Sequence, residues 1–92
     1  MRTEPVEMFV QQLAWPRGVV DIYHFTQGDL TSIWTIIERL DAELETRIAE
    51  CQSEVLRKFQ HTKLSFRVLP KGLSSVWSSL PPDAVKCKKA LL

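Results

Sequence analysis

Ninety-two residues, 45% apolar and 25% charged, describe one small domain in which a self-sufficient core is hard to build. No apolar run approaches the length of a membrane span, the N-terminus lacks the apolar stretch of a secretory signal, and two cysteines are too few for a disulfide framework. These features place the chain in a reducing compartment, cytoplasmic or nuclear. The net charge of +1 hides a division into residues 1–56, at −6, and residues 57–92, at +7. Such a division suits the macrodipole of a long helix, or antiparallel pairing of two copies.

The spacing predicts a short first helix over 4–14. Thr3 can cap it, Pro5 fits its first turn, and Val6, Phe9, Val10 and Leu13 form one apolar stripe. Trp15-Pro16 ends it, because proline forces the residue before it out of helical geometry. Val19 to Phe25 is rich in β-branched and aromatic residues and reads as a strand or an extended segment.

The strongest periodicity follows. Thr26-Gln27-Gly28-Asp29 has the spacing of a capping box, with Asp29 as an alternative cap. Apolar residues then recur at Leu30, Ile33, Ile37, Leu40, Leu44, Ile48, Cys51 and Val55, in steps of three and four, with no proline or glycine from Asp29 to Gln60. This predicts a long amphipathic, coiled-coil-like helix over about 29–60. Trp34 and Ile36 widen its apolar arc at the start, implying cover on more than one side. The fold class expected is therefore mostly α, with one long helix, a short N-terminal helix and an irregular, partly extended basic C-terminal segment.

Beyond Phe59, Leu64, Phe66 and Val68 alternate with Ser65 and Arg67 up to Pro70, a strand-like period, although the helix could instead continue to Leu69. The serines and prolines of 70–82 read as irregular chain, and Asp83 can cap a last short helix over 83–92.

No catalytic, cofactor or metal site is expected. Cys51, Cys87, His24 and His61 lack the paired spacing of zinc ligands, and no glycine-rich phosphate loop occurs. The carboxylates fall on exposed helix positions beside bases. Nucleic-acid binding through the basic C-terminal part is an alternative, disfavoured because its cations are spread out and lie beside an acid-rich helix. What remains is a non-catalytic subunit or adaptor whose partner-binding residues are Leu30, Ile33, Trp34, Ile37, Leu40, Leu44, Ile48, Cys51 and Val55. A hetero-complex is favoured over a homo-oligomer.

The stepping from Leu30 to Val55, the acid at Asp41, the Arg47-Ile48-Ala49 triplet and Lys71-Gly72 resemble the small Brick subunit of the WAVE/SCAR actin-regulatory complex, over 30–72. The chain departs from that family at Cys51-Gln52-Ser53-Glu54-Val55 and after Val55, where the seam is lost. The resemblance implies a cytoskeletal scaffold subunit packed among partner helices, with no catalytic residues.

Overall fold

A computed structural model describes residues 4–73 and 78–87. The order of elements is α1 (Glu4–Leu13), β1 (Val19–Gln27), β2 (Leu30–Ile37), α2 (Ala42–Lys58), β3 (Lys63–Pro70) and β4 (Val85–Lys86). The four strands form one mixed sheet in the order β3-β2-β1-β4. The protein is therefore α/β, and the expectation of a mostly α chain with a single helix over 29–60 is overturned.

The physical reason lies in residues 30–37. Thr31 to Ile37 are all buried, and five of these eight residues are apolar and mostly β-branched or aromatic. A continuous buried run of that length suits a central strand covered on both faces. The steps from Leu30 to Ile33 and Ile37 match a helix only by coincidence. The supposed capping box is the hairpin turn between β1 and β2, where Gln27 pairs with Leu30 and Gly28 takes φ +62. A two-residue hairpin turn needs that left-handed backbone, which glycine adopts without steric cost.

The true helix start is twelve residues beyond the expected cap. Asp41 has extended backbone and its carboxylate accepts from the Leu44 N–H at 3.1 Å. Glu43 and Glu45 then occupy the first turn of α2, and Arg57 and Lys58 the last, matching the helix dipole. Leu44, Ile48, Cys51 and Val55 form its buried stripe. The first helix forms as expected, with Pro5, Val6, Phe9 and Leu13 buried, and the chain leaves it through left-handed backbone at Ala14 and Trp15.

Pairing across the sheet fixes its two faces, since directly paired residues share a side. Ile22, Ile33, Ile37 and Phe66 lie on the face that meets the helices, and Phe9 of α1 lies 5.5 Å from Phe66 between ring centroids. A bulge between Val19 and Asp21 keeps Val19 in this core while turning Asp21 to the other face. That other face carries Phe25 edge-on to Trp34 at 5.5 Å, with Arg67 over the Trp34 ring at 5.7 Å.

Two long-range contacts hold α2 in place, one against the end of α1 and one against the start of β1. Arg47 of α2 donates to the Leu13 carbonyl at 2.9 Å, satisfying an acceptor left open where α1 ends. Gly18 has φ +101, its carbonyl accepts from the Glu38 N–H at 2.7 Å, and a Cβ there would lie 2.9 Å from Leu44 Cδ2. The positive φ favours glycine there, and a side chain would also press on Leu44 of α2. Residues 19–25 are strand rather than loosely extended chain, and 63–69 belong to β3 rather than to a continued helix. Of the last helix expected over 83–92, Val85 and Lys86 are strand, and 88–92 lie outside the described residues.

Candidate protein-binding edge

The nine residues expected to meet a partner do not form one outward seam. Ile33, Trp34 and Ile37 are buried on β2, Leu44, Ile48, Cys51 and Val55 are buried on α2, and Leu30 is half-buried at the start of β2. Leu40 alone is open to solvent, 69% exposed in the turn before α2. The stripe on α2 is covered by the chain's own sheet and first helix. The helical seam on which the resemblance to the Brick subunit rests is thus divided between a strand and a shorter helix.

What the fold leaves open is a strand edge. Among the described residues β3 pairs only with β2, in parallel, from Leu30–Lys63 to Ile37–Pro70. The opposite edge of the sheet is interrupted by β4, which pairs with Tyr23 and His24 of β1, while the Cys87 N–H donates to the Ile22 carbonyl at 2.7 Å. β3 is therefore the longer uninterrupted edge.

The direction of its free backbone groups follows from one bond. The Lys71 N–H donates to the Ile37 carbonyl at 2.8 Å. In a parallel ladder alternate residues bond to the neighbour, so Ser65, Arg67 and Leu69 turn their N–H and C=O towards β2. Leu64, Phe66 and Val68 turn theirs outward. Pro70 shares their phase, so its missing N–H costs the ladder nothing, which is where proline is tolerated in a sheet. The side chains of Leu64, Phe66 and Val68 pack under the helices as half-buried residues.

Cations along this edge are held by their own chain. Lys63 pairs with Asp29 at 3.0 Å, Lys71 with Glu38 at 2.6 Å, and Arg67 lies over Trp34. On the far edge Lys86 pairs with Asp21 at 3.1 Å, a bond that raises the lysine's pKa. Exposed pairs of this kind add little stability, but they cancel local charge.

The four residues weighed for zinc or nucleophilic chemistry are dispersed through the fold. Cys51 is buried on α2 and His24 is half-buried on β1, while His61 is exposed in the turn before β3 and Cys87 follows β4. Burial pushes the Cys51 thiol up despite the opposing charge of Arg47, and pushes the Cys87 thiol up to about 11. Neither is appreciably a thiolate at neutral pH, the form a nucleophile needs. Among the described residues no group of three or more His, Cys, Asp or Glu side chains is placed to hold a metal ion.

Depressions mark the surface, three among them beside charged side chains. One of about 650 Å³ lies beside α2, lined by Gln12, Glu43, Arg47, Glu50 and Glu54. A second, of about 340 Å³, lies at the hairpin turn, beside His61, Lys63 and Asp29. The third, of about 390 Å³, lies at the start of α2, lined by Arg17, Glu38, Arg39 and Asp41. Charged side chains wall most of the first and third, and threonines line much of the second, unlike the apolar concavities that enclose small molecules.

Sequence reasoning registered the alternation of Leu64, Phe66 and Val68 but not their edge position. The phase of Pro70 with those three was the available signal. Among the described residues no helix is long and apolar enough to cross a membrane. Comparison with protein-family models, curated proteins and solved structures yields no match for this chain.

Proposed function

We propose that this chain is a non-catalytic protein-binding subunit or adaptor that engages its partner by strand pairing along the outer edge of β3. The observation that carries this reading is the outward row of backbone groups at Leu64, Phe66 and Val68, on a strand with one neighbour among the described residues. An added strand satisfies such a row by main-chain bonds, a general mode of peptide and protein recognition. The dispersal of Cys51, Cys87, His24 and His61 through the fold and the polar lining of the depressions favour binding over chemistry. The nucleic-acid alternative is weakened because Lys63, Lys71 and Lys86 are held by Asp29, Glu38 and Asp21.

The test is affinity capture with the full chain and two variants. Val68→Pro removes one outward N–H, whereas Val68→Ala keeps that N–H and reproduces the loss of side-chain packing. Circular dichroism checks that both fold. Proteins retained by the wild type and Val68→Ala but lost with Val68→Pro support the edge. Equal recovery by all three overturns it.

A further inference from the structure

We infer that the edge of β3 takes a second copy of this chain, β3 pairing antiparallel with β3 across a two-fold axis at Phe66 and joining two four-stranded sheets into one. This rests on the reading of β3 as the binding edge and names its occupant. In a symmetric antiparallel pair, outward residues must face outward residues, which leaves few registers. An axis at Ser65 sets Lys63 against Arg67 of the other copy. An axis at Arg67 sets that residue against itself and Lys63 against Lys71. An axis at Val68 places Phe66 opposite Pro70, which has no N–H to give.

The axis at Phe66 has none of these faults. Phe66 meets its own mate and Leu64 meets Val68, so every outward N–H and C=O of these three residues finds a partner on both copies. Pro70 falls outside the paired core. Apolar Leu64, Phe66 and Val68 of the two copies become neighbours on the helix side of the joined sheet. On the other side Arg67 meets Ser65, and Lys63 meets Leu69, so no like charges face each other. The remaining positive charge is met at home, by Asp29, Glu38 and the Trp34 ring. An unrelated strand would have to supply this match afresh, whereas the chain carries it in its own sequence.

Ser65 reports the register directly, because it stands opposite Arg67 only when the axis is at Phe66. Ser65→Glu puts a carboxylate there, and Ser65→Lys puts a like charge there. The experiment is light scattering after size exclusion on the full chain, across a concentration series up to the millimolar range. The wild type is expected to pass from 10.6 kDa to twice that mass. Ser65→Glu should tighten the dimer and Ser65→Lys loosen it, each symmetry-related pair giving about a two- to fivefold change in Kd. A wild-type mass of 10.6 kDa at every concentration overturns self-pairing. So does a dimer whose Kd moves in the same direction, or not at all, in the two variants. A monomer that still loses captured proteins on Val68→Pro sinks this inference alone and leaves the edge reading intact. A concentration-dependent dimer whose Kd is unchanged by Val68→Pro locates the association elsewhere and, with capture also indifferent to Val68→Pro, sinks both.

Discussion

Thr35 stands at the centre of the sheet, fully buried, and among the described residues its hydroxyl has no hydrogen-bond partner. It pairs with Ile22 on one side and Val68 on the other, among apolar neighbours. A buried hydroxyl without a partner costs about 1–3 kcal/mol, so Thr35→Val, which keeps the shape and removes the polar atom, should stabilise the fold by about 1 kcal/mol. A chemical denaturation midpoint that falls would contradict the assignment. His24, paired with Ile33 and Val85, is a second residue whose burial has a measurable consequence. Desolvation holds its imidazole below the ordinary value of 6.5. The unfolded chain therefore takes up the proton first, and this part of the stability, whole above pH 6.5, is lost as pH falls towards the depressed folded value. Thermal melts from about pH 7.5 to about pH 5.5 should show Tm falling more steeply for the wild type than for His24→Gln. Equal slopes would remove His24 from the account.

At the scale of elements, α1 and the stripe on α2 were legible because their periodicity and caps agree. Pro5, the Val6–Leu13 stripe and Trp15-Pro16 each point to one short helix, which is what forms. On α2, Leu44, Ile48, Cys51 and Val55 keep helical steps and are buried as that pattern requires. The error lay in joining this stripe to Leu30, Ile33 and Ile37. Those steps of three and four suit a helical seam, and Trp34 and Ile36 between them suit a widening of it. Buried on both faces, Thr31 to Ile37 form a central strand, and periodicity alone cannot separate that from a helix segment. Gly28 at a hairpin turn and Asp41 as a second cap were the local signals for division. The binding edge was less legible still. The phase of Pro70 with Leu64, Phe66 and Val68 hints at an edge, but which strand lies beside it is a property of sheet order that no local pattern states.

For the molecule as a whole, the division of charge along the sequence is largely absorbed by folding. The ion pairs Lys63–Asp29, Lys71–Glu38 and Lys86–Asp21 each join the basic C-terminal part to the acidic N-terminal part. Acids at the start of α2 and bases at its end account for a further share. The charge pattern therefore serves the fold of one chain, and the sheet edge is left as the feature that asks for company. A long unpaired edge is a liability that proteins blunt with charges or proline, and among the described residues Lys63, Lys71 and Pro70 flank the stretch without closing it. Amide hydrogen exchange measured residue by residue, in dilute and concentrated solution, tests this most directly. The N–H groups of Ser65, Arg67 and Leu69 should be protected at every concentration, while those of Leu64, Phe66 and Val68 exchange freely when dilute and slow as copies pair. Strong protection of Leu64, Phe66 and Val68 in dilute monomer would show that the edge is already closed, and would contradict the account at its centre.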